Sequence, residues 1–222
     1  VQAYTAATHG DIITLSDGVF TAPSQINKGI TVRGNGAVAD TARRSSGTYF
    51  MENFQVAQLG DSLQFSAEGI YFDYLGISNS YDIKLTRCYI DYFYSYGGVQ
   101  ATNCIIKTQL SGNSSYNNTY INCVLLSLNG SNPNVIPYYV ICNNCIILGT
   151  IDDVGTGYGQ YQFNNCIVMK KGTASDTILN GAVNYSVLIG FTGTDSPTSS
   201  GNVVMSLSDV FENWDGASLP TD

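Results

Sequence analysis

Apolar runs of two or three residues, each entered through Asn and Cys, return along the second half of the chain. Thr102-Asn103-Cys104-Ile105-Ile106 recurs as Ile121-Asn122-Cys123-Val124-Leu125, as Asn143-Asn144-Cys145-Ile146-Ile147 and as Asn164-Asn165-Cys166-Ile167-Val168. A looser copy, Asn184-Tyr185-Ser186-Val187-Leu188, carries Ser in the Cys slot. Two weaker copies precede these, Thr86-Arg87-Cys88-Tyr89-Ile90 and Ala67-Glu68-Gly69-Ile70-Tyr71. With the Cys slot as origin, the copies fall at 69, 88, 104, 123, 145, 166 and 186, at intervals of 19, 16, 19, 22, 21 and 20. A short strand that returns about every twenty residues predicts one coil of a solenoid.

The slots hold Ile, Val, Tyr and Cys, side chains that suit a pleated and largely buried surface. Each run is short and bounded by Asn, Gly or Ser, which predicts strands rather than helices. Asn before a strand suits a sharp corner, because it tolerates the left-handed conformation and can bond nearby backbone. Stacked at one corner, such Asn side chains can also bond from coil to coil. Coils of parallel strands lie ~4.8 Å apart, so roughly nine to eleven of them predict a rod about 45 Å long.

Side chains alternate across a strand, so the consecutive apolar residues after each Cys cannot all face the core. Either Ile105, Val124, Ile146, Ile167 and Val187 point outward, or their Cys-side neighbours do. Such a stripe is an association surface unless something covers it. The expected partner is a second copy of the chain or another structural protein. The alternative is cover by an inserted loop of the same chain, for which segments 36–48 and 190–210 are long enough.

Charge narrows the field. Charged residues make up 12% of the 222, with 17 acidic and 9 basic, for a net charge of −8. Nucleic-acid phosphates call for clustered Lys and Arg, so no nucleic-acid partner is expected. His9 is the one His, which argues against a His-rich metal site and a His-based triad. No apolar run approaches the ~20 residues of a membrane span, so no membrane insertion is expected. Few charges with 16 Tyr and 23 Gly fit an extracellular, cell-surface or virion protein. The sequence opens at Val1 rather than Met, so an upstream segment or leader is an expectation.

Five of the six Cys share the repeat slot. Stacked in register, their Cβ atoms would lie ~4.8 Å apart, beyond the ~3.8 Å mean of a disulfide, which predicts a column of free thiols. Cys142 lies off that column and reads as a core residue of the preceding strand. The Cys142-Asn143-Asn144-Cys145 pair alone does not make a zinc site, so no metal is assigned.

Gly10-Asp11-Ile12-Ile13-Thr14-Leu15-Ser16-Asp17-Gly18-Val19-Phe20 resembles the opening of right-handed parallel β-helix proteins of the pectin-lyase-like superfamily. Residues 1–9 resemble their short N-terminal cap helix, and Gly29-Ile30-Thr31-Val32-Arg33-Gly34-Asn35-Gly36 resembles the next rung. The resemblance implies an all-β, single-stranded right-handed parallel β-helix, one domain over 1–222, with 209–222 as a last coil or cap. It also implies lyases, hydrolases, esterases, trimeric phage tailspikes or non-catalytic surface proteins as function classes, among which fold cannot choose.

A hydrolase of this kind would draw on Asp152-Asp153, which could meet Asp176 on the next coil. A polysaccharide lyase would use Lys84 or Arg87 as base beside Asp82 and Asp91. Calcium would enter only under that alternative. Lys84 and Lys107 are 23 residues apart, near one repeat, and would approach each other if the coils stack. Tyr92, Tyr94 and Tyr96 alternate and would share one side of a strand, where they could contact a glycan or a protein partner. Tyr71, Tyr74 and Tyr81 crowd the coil before. The leading expectation is a non-catalytic structural or adhesive module that self-associates and contacts glycans, without a cofactor. The alternative is a carbohydrate-active lyase or hydrolase.

Overall fold

The computed structural model describes residues 1–37, 46–57, 59–60, 63–78, 82–111, 117–126, 128–129, 139–148, 160–169, 182–191 and 201–211. The chain winds into a parallel β-solenoid. One sheet stacks nine strands in chain order: Ile12–Thr14, Thr31–Arg33, Phe65–Glu68, Ile83–Thr86, Val99–Thr102, Asn117–Ile121, Tyr139–Asn143, Gln160–Asn164 and Ala182–Asn184. The second takes the alternate strands: Gly18–Phe20, Thr48–Val56, Tyr71–Ile77, Tyr89–Ser95, Ile105–Ser111, Val124–Leu125, Ile146–Ile147, Ile167–Met169, Val187–Ile189 and Val203–Met205. A short strand, Leu128–Asn129, also pairs with Ile105–Ser111. The two described helices, Gln2–Ala6 and Leu207–Val210, are short, and neither is long and apolar enough to cross a membrane.

Register explains the core. The first sheet aligns Val32, Ala67, Leu85, Ala101, Tyr120, Cys142, Phe163 and Val183. The second aligns Phe50, Phe72, Ile90, Ile106, Leu125, Ile147, Val168 and Leu188. Both columns are buried, and the aromatic end is tightly packed, with the Phe50 and Phe72 rings stacked at 5.8 Å. Parallel stacking turns each apolar slot into a continuous seam, because a side chain meets its equivalent one coil away.

Between the sheets the chain turns through one left-handed residue. Gly69, Arg87, Asn103, Asn122, Asn144, Asn165 and Tyr185 have φ between +51° and +63°. Asn leads this column because its side chain eases that conformation and bonds onward. Asn165 Nδ2 donates to Asn144 Oδ1 at 2.7 Å. One position earlier, Asn184 Nδ2 donates to Asn164 Oδ1 and Asn164 Nδ2 to Asn143 Oδ1. The repeat origin shifts by one residue at its first copy: Gly69 takes the left-handed corner, and Ile70 sits where Cys88 sits a coil later. Gly can occupy the corner as Asn does, and the isoleucine fills the thiol's space.

The thiol column has a definite task. At the corner the N–H of the left-handed residue points toward the next coil, as in Asn103 N to Ile121 O, while the first N–H of the following strand points back, as in Ile105 N to Cys88 O. The slot residue lies at this reversal, and its N–H donates to a side chain instead. Cys88 N donates to Cys104 Sγ, Cys104 N to Cys123 Sγ, Cys123 N to Cys145 Sγ and Cys145 N to Cys166 Sγ, all at 3.4 Å. Cys166 N donates to Ser186 Oγ, and Ser186 N to Asn202 Oδ1, both at 3.0 Å. A buried N–H without an acceptor is costly, so from Cys104 to Ser186 the slot calls for a small side chain that can accept, a role Ile70 does not fill.

All six thiols are free and buried. The Cys123 thiol is pushed up to about 12, first by the adjacent Cys104 and then by burial. For Cys104, the Cys123 neighbour acts downward, but Cys88 and burial outweigh it and lift the value to about 12. The ordinary thiol value is 9.0, so the folded chain holds these protons more tightly than the unfolded one. Their contribution to stability is complete below pH 9 and is lost as pH rises toward 12. Cys142 and Cys166 shift the same way, while Cys88 and Cys145 shift the other way. With four thiols raised against two lowered, two outcomes follow: thiol alkylation at pH 8 is negligible until denaturant is added, and the urea midpoint falls above pH 9. Rapid labelling of the native protein would contradict this burial.

The N-terminal helix is held by a cation. Lys28 Nζ donates to the carbonyls of Tyr4, Thr5 and Ala7 at 2.9, 3.1 and 2.7 Å, at the negative end of the helix dipole. Lys28→Met should loosen this helix by about 1 kcal/mol. Amide exchange of Thr5 and Ala7, whose N–H groups bond within the helix, should accelerate several-fold. Unchanged exchange would remove Lys28 from that role.

Candidate functional site: a tyrosine face on the bent sheet

The strands of the second sheet bend in their middle. Phe72 and Leu75 both point into the core, as do Ile90 and Phe93, so the pairs Asp73-Tyr74 and Asp91-Tyr92 between them turn outward together. The strand Thr48–Val56 carries one extra residue at this bend. Tyr74 aligns with Tyr92, and Gly76 with Tyr94. Tyr92 is 51% exposed, whereas Tyr94 and Tyr96 are half-buried.

The expected alternation of Tyr92, Tyr94 and Tyr96 is present, and two of the rings form a joined unit. Tyr94 and Tyr96 meet edge to face at 4.8 Å, and the Tyr94 hydroxyl donates to that of Tyr96. The Tyr94 hydroxyl is pushed up to about 12 by burial, then by Tyr96 and by Tyr74 nearby. Gly76 lies beside them beneath Gln55, and a Cβ at Gly76 would come within 2.2 Å of Gln55 Oε1. The absent side chain therefore lets the Gln55 amide lie across the sheet. Sequence reading did not single out Gln55 or Gly76, although a glycine in an otherwise aromatic strand was a usable signal.

Next to this patch Tyr49, Tyr71 and Tyr89 form a buried column, with Tyr71 and Tyr89 stacked at 5.2 Å and Ala37 packed against the cluster. The Tyr71 hydroxyl donates to Asp91 Oδ2 at 2.5 Å, and burial followed by that bond raises its pKa far above the ordinary phenol. Lys107 Nζ lies 2.8 Å from Asp91 Oδ1, off the direction of an aligned hydrogen bond, and 5.3 Å from the Tyr89 ring centre. Burial acts to lower the Lys107 pKa, but Asp91 and Tyr89 outweigh it and the net direction is upward. Asp91 is thus tied by a phenol and an ammonium at once.

The residues named for a lyase are not brought together. Lys84 lies on the first sheet, exposed, opposite Ser66 and Gln100. Asp82 is exposed and accepts a hydrogen bond from Gln64. Arg87 occupies a corner and pairs with Glu68, which also holds Arg33 at 2.9 Å. Asp91 belongs to the other sheet. Lys84 and Lys107 do not meet either, because their 23-residue separation crosses the corner and leaves them on different sheets. Asp152, Asp153, Asp176 and Tyr81 lie outside the described residues, as does 212–222 with Trp214. Among the described residues, no group of three or more His, Cys, Asp or Glu converges to hold a metal ion.

The apolar stripe takes the first of its two expected orientations. Ile105, Val124, Ile146, Ile167 and Val187 face outward and are half-buried, while the Cys slots and Ile106, Leu125, Ile147, Val168 and Leu188 face the core. The same outward column runs from Val19 through Tyr49, Tyr71 and Tyr89, and at the tyrosines residue 37 of the inserted segment supplies part of the cover. Compared with known proteins, the chain has no significant match to a family model, a curated protein or a solved structure.

Proposed function

We propose that this solenoid is a non-catalytic structural or adhesive module of a virion or cell surface, and that its tyrosine face contacts glycans. The observation that carries this reading is the set Tyr74, Tyr92, Tyr94 and Tyr96 on one bent outer surface. Tyrosine offers a rigid apolar ring with a polar edge, the combination that packs on a partner's apolar face and still bonds its hydroxyls. The dispersal of Lys84, Arg87, Asp82 and Asp91 favours binding over the lyase alternative. The right-handed winding and kinship with the pectin-lyase-like superfamily remain part of this reading, supported by the Gly10–Phe20 opening and the Gly29–Gly36 rung.

A glycan array probed with the native chain and with Tyr92→Ala tests the proposal. Tyr92 is half exposed, so its removal should spare the fold. Binding that weakens at least ten-fold in the variant, or about 1.4 kcal/mol, supports it. Identical profiles for the two proteins would reject the tyrosine face as the contact.

The outward stripe favours a second contact, with a further copy of the chain along Ile105, Val124, Ile146, Ile167 and Val187. Sedimentation at micromolar concentration should then give an oligomer, a trimer being one form, that Ile146→Lys dissociates. A native monomer would end the self-association reading.

A further inference from the structure

We infer that the tyrosine face selects uncharged glycans over uronate or sulfated polymers. This rests on the glycan-contact reading above and adds the chemical class of its ligand.

Charge decides the class. The bend exposes Glu52 and half-exposes Asp73 and Asp91. Across the four strands 48–56, 71–77, 89–95 and 105–111, Lys107 is the single cation, and it is engaged with Asp91 and the Tyr89 ring. The described arginines, Arg33 and Arg87, are paired with Glu68. An anionic polymer would bring one charge after another against the carboxylates of Glu52 and Asp73, with Asp91 already offset by Lys107, and find no unpaired cation on these strands. Like-charge juxtaposition of that sort rejects a ligand without any steric clash. A chain of net charge −8 adds long-range repulsion of the same sign.

The polar groups that remain are neutral. Tyr94 donates to Tyr96, which leaves Tyr96 a proton to donate. Gln55, laid over Gly76, offers both a carbonyl and an amide. Tyr92 presents an exposed ring beside them. Hydroxyl-rich rings without charge match this set: an apolar ring face for Tyr92 and hydroxyls for Tyr96 and Gln55.

Affinity electrophoresis of the native chain tests the inference, in gels containing dextran, galactomannan, xylan, polygalacturonate, alginate or heparin. Retardation in at least one of the three neutral gels is expected, unchanged between low and high salt and at least ten-fold weaker for Tyr92→Ala and Gln55→Ala. The anionic gels should leave migration unchanged. Retardation confined to the anionic gels, or abolished by salt, overturns the neutral-ligand inference but leaves glycan contact standing. No retardation in any gel overturns both.

Discussion

Cys123→Val should lower the unfolding free energy by about 2–3 kcal/mol, while Cys123→Ser should cost less than about 1 kcal/mol. The reason lies at the corner, where Cys104 N–H has Cys123 Sγ as its acceptor at 3.4 Å. Valine is of similar size but cannot accept, so a fully buried N–H is left unpaired, and its second methyl must find room in a packed seam. The single Cys123 S–H proton also has the carbonyls of Ile121 and Ala101 within reach, at 3.3 and 3.5 Å, a contact that valine cannot replace. Serine is already used at the equivalent place: Ser186 Oγ accepts from Cys166 N at 3.0 Å and donates to Asn184 O at 2.9 Å. Urea unfolding at constant slope gives the comparison directly. Equal midpoints for the Val and Ser variants would mean that the column only fills space.

The second large effect is expected at the left-handed corners. Asn144→Val should destabilise by about 2 kcal/mol, and Asn144→Gly by clearly less. Asn144 has φ +55°, a region that a β-branched side chain enters at a cost of ~1–2 kcal/mol. Both variants lose the bond from Asn165 Nδ2, which is exposed and so contributes a fraction of a kcal/mol. The difference between them therefore isolates the backbone conformation. Thermal unfolding that ranks Gly and Val together would show that the corner relaxes at no cost, and would undercut the role given to the Asn column. Arg87 and Tyr185 hold the same conformation without being Asn or Gly.

The periodic parts of the fold were legible along the chain because a solenoid repeats its environment. Each Asn-Cys-apolar copy meets the same corner, the same reversal of hydrogen bonding and the same core seam. What varied was read less well. Gly69 looked like the slot residue because glycine and a thiol are both small, yet its free backbone sent it to the corner and left Ile70 inside. Counting 23 residues from Lys84 to Lys107 suggested a shared site, but coils of 16 to 22 residues cannot say which sheet a position occupies.

By itself, the amino-acid order determined the winding, the strand class, the corner residues and the free-thiol column, since each depends on local conformation repeated at one interval. Tertiary structure alone decided which apolar set faces outward, that Asp91 is shared between Tyr71 and Lys107, and that Gln55 can lie over Gly76 beside Tyr94. Those outcomes depend on lateral register and on a bend in the second sheet. Both are set by packing between coils rather than by any residue's own preference.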